Sequence, residues 1–517
     1  MKKTVVVLSL LLLSLTLVFA AGSRDAKADG KMNISWTAYQ MAPTAKNAPM
    51  VKYYNDMFDV NLDVWNIDYQ QYTELLNIRL AAGEIPDMFM VMNPADLSGY
   101  VEQGLLAPIP LEKIKKFMPN TYATYQRDFP NEFAMGQVDG QFYGLASIST
   151  GNMFRLPVVY NQTWLDALGL DVPTNIEEFE KVIYAFAHGD PDGNGKKDTY
   201  GLSMDGLELL WGMYGMVPYQ DYFSVKDGRI AFMPIEPEMK EALAYARKWY
   251  QDGVLDPEFI TGENTGGYWA ISHSFINGRV GMTVRGNYYH WLYPGDYNEY
   301  DDGKPIPNQV GAVSQELLAI SPNTKIAFGQ PLKNMDGTQG GIRGYHMLAR
   351  FYGIGADVSE EKMDKILQIL EHMSDSNPDK DAWATARHGV QGENWRWLEK
   401  DHETILKLGE YMDRESFRYE NGSVFWWTSG SELKTRQAEW GKMMEFDKNG
   451  IYSVFPISME AMNRYNAQLQ TLREQAYIQI ITGVRPLDYF DTFVAEYLKI
   501  GGREVIDAVQ QWYAANN

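Results

Sequence analysis

Residues 32–39, MNISWTAY, alternate apolar and polar side chains with the period of two that a strand requires. MVKYYNDMF (50–58) changes to helical spacing, and NLDVWNI (61–67) returns to strand character. YTELLNIRLAAGEIP (72–86) predicts a helix that stops at Gly83 and Pro86. DMFMVM (87–92) is a short apolar strand. Strand, helix, strand, helix, strand predicts a mixed or parallel sheet with helical crossovers. VVYN (158–161) begins a second unit of the same kind. IEEFEKVIYAFAHG (176–189) is an amphipathic helix with Thr174 or Asn175 as its cap, since either oxygen can accept from a first-turn N–H. Further helices are expected over 238–253, 360–373 and 486–502. There is no internal repeat and no long low-complexity linker, and the pattern predicts two α/β lobes.

Composition narrows the function. With 517 residues, 45% of them hydrophobic, the chain can fill one large core or two medium ones. The formal net charge is −21, and no Lys/Arg run provides a footprint for nucleic acid or an anionic membrane. The absence of cysteine rules out disulfides, thiolate catalysis and cysteine-ligated metal sites. Lys2 and Lys3 precede an apolar run from Val5 to Phe19 that closes on Ala20 and Ala21. That is the layout of a secretory signal, with cleavage expected after Ala20. The run falls short of the roughly 20 residues of a membrane span. The mature chain is therefore expected to be periplasmic or secreted, without a cysteine to carry a lipid anchor.

Two features carry candidate chemistry. In DPDGNGKKDTYG (190–201), Asp190, Asp192, Asn194 and Asp198 fall at the first, third, fifth and ninth places of an EF-hand-like loop. Gly195 takes the sixth place, where the chain must turn sharply, and Lys196 would lend its carbonyl. The bidentate glutamate of a full EF-hand is replaced by Gly201. The stretch reads either as a single structural Ca2+ site or as a glycine-rich turn without an ion. The second feature is aromatic: many of the 14 Trp and 33 Tyr sit beside Gly, Asn or charged residues, as in GGYWAISH, RGNYYHW, GVQGENWRW and VFWWTSG. Rigid aromatic faces stack on sugar rings while nearby polar groups bind hydroxyls, although any single ring can equally be core packing. No H-x-x-x-H spacing, GxSxG elbow or Walker loop is present. A glycosidase carboxylate pair stays open, but no pair stands out.

Several stretches, taken in order, resemble the extracellular solute-binding proteins of ABC importers, the maltose-binding type, and within it the long oligosaccharide- and alginate-binding branch. They are LAAGEIPDMFMV with GYVEQGLLAPI, VVYNQTWLDALGLDVPTNIEEFEKV, FINGRVGMTVRGNYYHW, GVQGENW and ITGVRPLDYFDTFVAEYLKIGG. That branch carries a calcium loop where DPDGNGKKD stands. Two departures are visible: the lipobox cysteine is missing, and Thr199 stands where alginate-binding members carry an acid. The resemblance implies a bilobed periplasmic-binding-protein type II fold with discontinuous lobes, 21–152 with 342–395 and 153–341 with 396–517. The chain would cross between lobes near 150–157, 338–346 and 393–400. It implies a monomer that does no chemistry, captures an oligosaccharide and hands it to an ABC permease. The cleft residues expected are Tyr39, Asn93, Trp269, Arg285, Tyr288, Glu393, Trp395 and Trp427, the aromatics as stacking rings and the others as hydroxyl or carboxylate partners. A secreted glycan-cleaving enzyme or a lectin is the alternative. The calcium loop would lie away from the cleft.

Overall fold

The computed structural model describes residues 30–40, 42–149, 156–218, 222–260, 271–292, 300–301, 304–305, 310–344, 346–397, 405–410, 420–422, 449–453 and 459–516. The export segment expected over 1–20 lies outside the described residues. The elements that position the site begin with β1 (Met32–Gln40), α1 (Pro49–Phe58), β2 (Val60–Asp68), α2 (Tyr72–Ala81), β3 (Met88–Val91) and β4 (Gly144–Ile148). Next come β5 (Val158–Asn161), α3 (Ile176–His188), α4 (Leu207–Met213), α5 (Pro237–Gln251), β6 (Met282–Thr283), β7 (Ile326–Gly329) and β8 (Ile342–Arg343). Then follow β9 (Leu348–Ile354), α6 (Glu360–Met373), α7 (Lys380–His388), β10 (Trp395–Trp397), β11 (Ile405–Lys407) and β12 (Gly450–Ile451). The chain closes with α8 (Glu460–Ile481), α9 (Tyr489–Tyr497) and α10 (Arg503–Asn516).

The first core is built on a five-stranded sheet in the order β2-β1-β3-β9-β4. β1 runs parallel to β2 and β3, because α1 and α2 return the chain to the same end of the sheet. β9 is antiparallel to both β3 and β4. Ile34, Trp36 and Ala38 of β1 and all four residues of β3 are buried. Each such large apolar side chain contributes on the order of 1.5–3 kcal/mol when fully buried. α2 ends at Ala81 rather than near Pro86, with Gly83 beyond it in the left-handed region at φ 80°. Lys362 of α6 is buried in this lobe and is held by Asp87 at 3.1 Å.

The second core surrounds a three-stranded antiparallel sheet, β6-β5-β7. Asn175 is the cap of α3: its side chain accepts from Glu178 N at 2.9 Å, while Thr174 donates to the Glu178 carboxylate. Phe179, Val182, Ile183 and Phe186 form the buried stripe of α3. Against it packs Trp249 of α5, whose indole N–H donates to Glu180 at 2.8 Å. α8, with 22 residues, is absent from the sequence expectations; it packs on α5 and α9 through Leu469, Ala476 and Ile480. The helix expected over 486–502 begins at Tyr489 as α9 and passes into a π-helical turn over Leu498–Gly502, where Gly501 at φ 136° kinks the chain against the Tyr465 ring.

Ile148 belongs to the first core and Leu156 to the second; Ile342 belongs to the second and Leu348 to the first; Ala386 belongs to the first and Ala461 to the second. The molecule is thus bilobed. β8 pairs in parallel with β12, and Gly344 N donates to Ile451 O at 2.8 Å. Glycine is required in this pair for space. A Cβ on Gly341 would enter the Ile451 side chain, and one on Gly344 the Tyr452 ring.

Candidate functional site

Tyr39 lies near the carboxyl end of β1, paired with Ile67 of β2, and Asn93 lies two residues past the end of β3. The two strands are parallel neighbours, so both residues arrive at one edge of the first sheet. In parallel sheets this is the edge outside which ligands bind. The first two passages between the cores leave from the same edge, because Leu348 of β9 pairs with Ile148 of β4 and Phe351 with Val91 of β3. Asn93 is exposed and caps a short turn through its acceptor contact with Ala95 N at 3.2 Å. Arg350 reaches along this edge, with Nη1 3.8 Å from both Met90 Sδ and Met92 Sδ.

Arg285 emerges just beyond β6. Gly286 O accepts from Leu156 N at 2.8 Å, which ties Arg285 to the point where the chain enters the second core. Its side chain is 27% exposed, and its Nε lies 3.9 Å from the buried Asp205 carboxylate. Asp205 also accepts from the Thr283 hydroxyl. Arg343, on β8 at the second passage, pairs with buried Glu208 at 3.4 Å. Sequence reasoning missed Asp205, Glu208, Arg343 and Arg350: none lies in a recognisable motif, and only the fold brings each to its partner.

Tyr288 is 1% exposed and packs on Phe328 with ring centroids 5.6 Å apart. Burial pushes its hydroxyl pKa well above the ordinary tyrosine value. Its ring belongs to the second core and offers no open face. Glu393 is exposed in the turn before β10. Trp395, two residues on, is fully buried: its indole N–H donates to Gly389 O at 2.7 Å and its ring meets Trp397 edge-on. It packs with Trp383, Ala384 and Ile405 in a small core of its own. Asn394 and Asn421 connect this hairpin to α1, because Asn421 O accepts from Met50 N at 2.9 Å. Trp269 and Trp427 lie outside the described residues. Tyr39 and Asn93 thus stand at one edge of the first sheet and Arg285 beside the entry to the second core, whereas Tyr288 and Trp395 are buried.

The acidic loop follows α3. Asp190, Gly193 and Gly195 all adopt positive φ, which coils the loop on itself. Gly195 N–H donates to the Asp190 carboxylate at 3.1 Å. The Asn194 amide donates to Asp192 at 2.7 Å and reaches Asp198 at 3.3 Å. Three carboxylates thus turn toward amide donors of their own loop. Among the described residues, no group of three or more acidic or histidine side chains is drawn close enough to hold a metal as it stands. The donor set is nonetheless all oxygen, as calcium requires, and half a turn of the Asn194 amide presents its oxygen beside Asp192. Thr199 is buried and donates to Phe186 O at 2.9 Å, so it faces α3 and adds no charge to the loop. Tyr200 N donates to Arg279 O and Gly201 N to Val254 O, which anchors the loop to the second core.

Among the described residues, no helix is long and apolar enough to cross a membrane. The profile of the family described as bacterial extracellular solute-binding protein matches residues 49–350, more than half of the chain. The lipoprotein LipO of Bacillus subtilis (strain 168) is 22% identical, over 96% of this chain and 94% of its own. The polygalacturonan/rhamnogalacturonan-binding protein YtcQ of the same organism is 23% identical, over 72% of this chain and 68% of its own. Two solved structures share the fold. The alginate-binding protein AlgQ2 without calcium ion superposes with a TM-score of 0.67 at 16% identity, over 93% of this chain and 98% of that one. The ABC-transporter substrate-binding protein FusA of Streptococcus pneumoniae, in complex with kestose, gives 0.66 at 15% identity, over 94% and 100%.

Proposed function

The chain belongs to the bacterial extracellular solute-binding proteins, and from that premise we propose that it captures an oligosaccharide between its lobes and delivers it to an ABC permease. The observation that carries this reading is the family match together with relatives named for carbohydrate binding: YtcQ, for polygalacturonan and rhamnogalacturonan, and FusA, seen with kestose. The lobes follow the two cores and close about the passages between them, as hinged binding proteins do. Tyr39, Asn93, Arg285 and Glu393 contact the sugar, with Trp269 and Trp427 as stacking rings, and Tyr288 and Trp395 brace the wall from behind. The protein acts as an exported monomer and performs no chemistry on its ligand.

A calcium ion in the 190–198 loop is part of the same proposal. It is supported by the oxygen donor set and by a calcium reference in the name of the AlgQ2 structure. Asp190, Asp192, Asn194, the Lys196 carbonyl and Asp198 would hold it, where it would pin the end of α3 and take no part in sugar binding.

A thermal-shift screen over a panel of glycans tests the reading. At least one oligosaccharide should raise the melting temperature, and prolonged incubation with it should yield no shorter products. Cleavage over many turnovers would establish the enzyme alternative, and a panel without any shift would remove the carbohydrate.

A further inference from the structure

We infer that the cleft selects uncharged sugars over uronates, and that two buried carboxylates, Asp205 and Glu208, impose this choice by neutralising the arginines Arg285 and Arg343 at the two passages between lobes. The inference rests on the carbohydrate reading and goes beyond it in naming the charge class and the residues that set it.

The arrangement repeats a single motif twice. Arg285 sits where Leu156 enters the second core, and Arg343 sits where the chain leaves it for β9. Each is partly exposed, at 27% and 14%, whereas the carboxylate beside it is nearly inaccessible, at 3% and 6%. Asp205 lies in the 3-10 turn Met204–Gly206 that leads into α4, and Glu208 in the first turn of α4. α4 is itself fastened to the second passage, since Gly341 N donates to Gly212 O at 3.1 Å. Asp205 is held in place by the Thr283 hydroxyl and by Val284 N at 3.4 Å. Asp205 is therefore held beside Arg285, and Glu208, buried in the first turn of α4, faces Arg343.

Each arginine keeps part of its side chain at the surface while the carboxylate beside it compensates its charge, so a neutral hydroxyl can approach it without an uncompensated charge being left behind. A uronate carboxylate would have to share that guanidinium with a resident carboxylate in a poorly hydrated site. Like charges brought together under those conditions oppose binding strongly. The net charge of −21 adds long-range repulsion of polyanions. Asp205 and Glu208 are thus positioning residues that act through the arginines.

The test is calorimetric titration of the full chain, wild type and the Asp205→Asn and Glu208→Gln variants. One set of probes is neutral (kestose, maltotriose, xylotriose, mannotriose), and the other is acidic (trigalacturonate and an alginate trimer). Wild type should bind at least one neutral trisaccharide at least 100-fold more tightly than either acidic one. Each variant should raise the acidic-to-neutral affinity ratio at least tenfold, a readout that a loss of packing alone does not move. A wild type that prefers a uronate trimer overturns the inference and leaves the carbohydrate reading intact, as does an unchanged ratio in both variants when circular dichroism shows them folded. A wild type that binds neither set removes the carbohydrate reading itself. Should the variants fail to fold, the wild-type preference alone decides.

Discussion

Trp395 illustrates how far a residue's neighbours in sequence can mislead. Its setting in GENWRW, among glycine and charge, reads equally as a stacking ring or as packing, and the fold makes it the buried centre of a small aromatic core. Trp395→Ala should therefore cost about 3–5 kcal/mol of stability, the range for truncating a buried large aromatic. Denaturant unfolding measures this, and undiminished stability with lost sugar affinity would return the residue to the ligand surface. The charged partners of the site were illegible for another reason. Glu208 and Arg343 lie far apart in the chain, and no local spacing announces their 3.4 Å contact. Arg285 could be named from its motif, but its neighbour Asp205, 80 residues earlier in the chain, could not. In the acidic loop the oxygens could be read directly, but that Thr199 turns inward to Phe186 required the fold.

Elements were most legible where period and punctuation agreed. β1, α1, β2, α3, α5 and α6 all fall within about two residues of their expected bounds, a margin usual for element ends. α8 was missed because polar residues interrupt its apolar face, although its Ala, Leu, Gln, Glu and Arg are strong helix formers and it contains no Gly or Pro. The C-terminal helix expected over 486–502 does end at a kink, at Gly501, but the continuation of the chain beyond it into α10 was not foreseen. Gly501 combines φ 136° with the Tyr465 ring where a side chain would stand. Gly501→Ala should cost at least the 1–3 kcal/mol of a strained backbone residue. Thermal unfolding reads it, and a melting temperature within a degree of wild type would mean that the helices can repack around the kink.

At the scale of the molecule, the two lobes were foreseen from alternating elements, while the strands and loops where the chain passes between them depend on non-local pairing. Calcium belongs to this scale because binding to the native state alone stabilises the whole fold by mass action. Free calcium at about a hundred times the dissociation constant would add about 2.7 kcal/mol. Chelation, or Asp192→Ala, should lower the melting temperature while sugar affinity stays within a few-fold at a temperature where the protein remains folded. Loss of sugar binding by a folded, chelated protein would put the ion in the working site, and no change in either quantity would leave the loop a turn without an ion. The tight pairing of β8 with β12 reaches beyond one sequence, to how the family can diverge. Gly344 and the Tyr452 ring fill one another's space, as do Gly341 and the Ile451 side chain. Neither partner can drift alone. Across related chains that keep this strand pair, a side chain larger than hydrogen at position 344 should appear only where position 452 has become small. An alignment in which a bulky 344 coexists with an aromatic 452 would mean that the passage is built differently in those relatives.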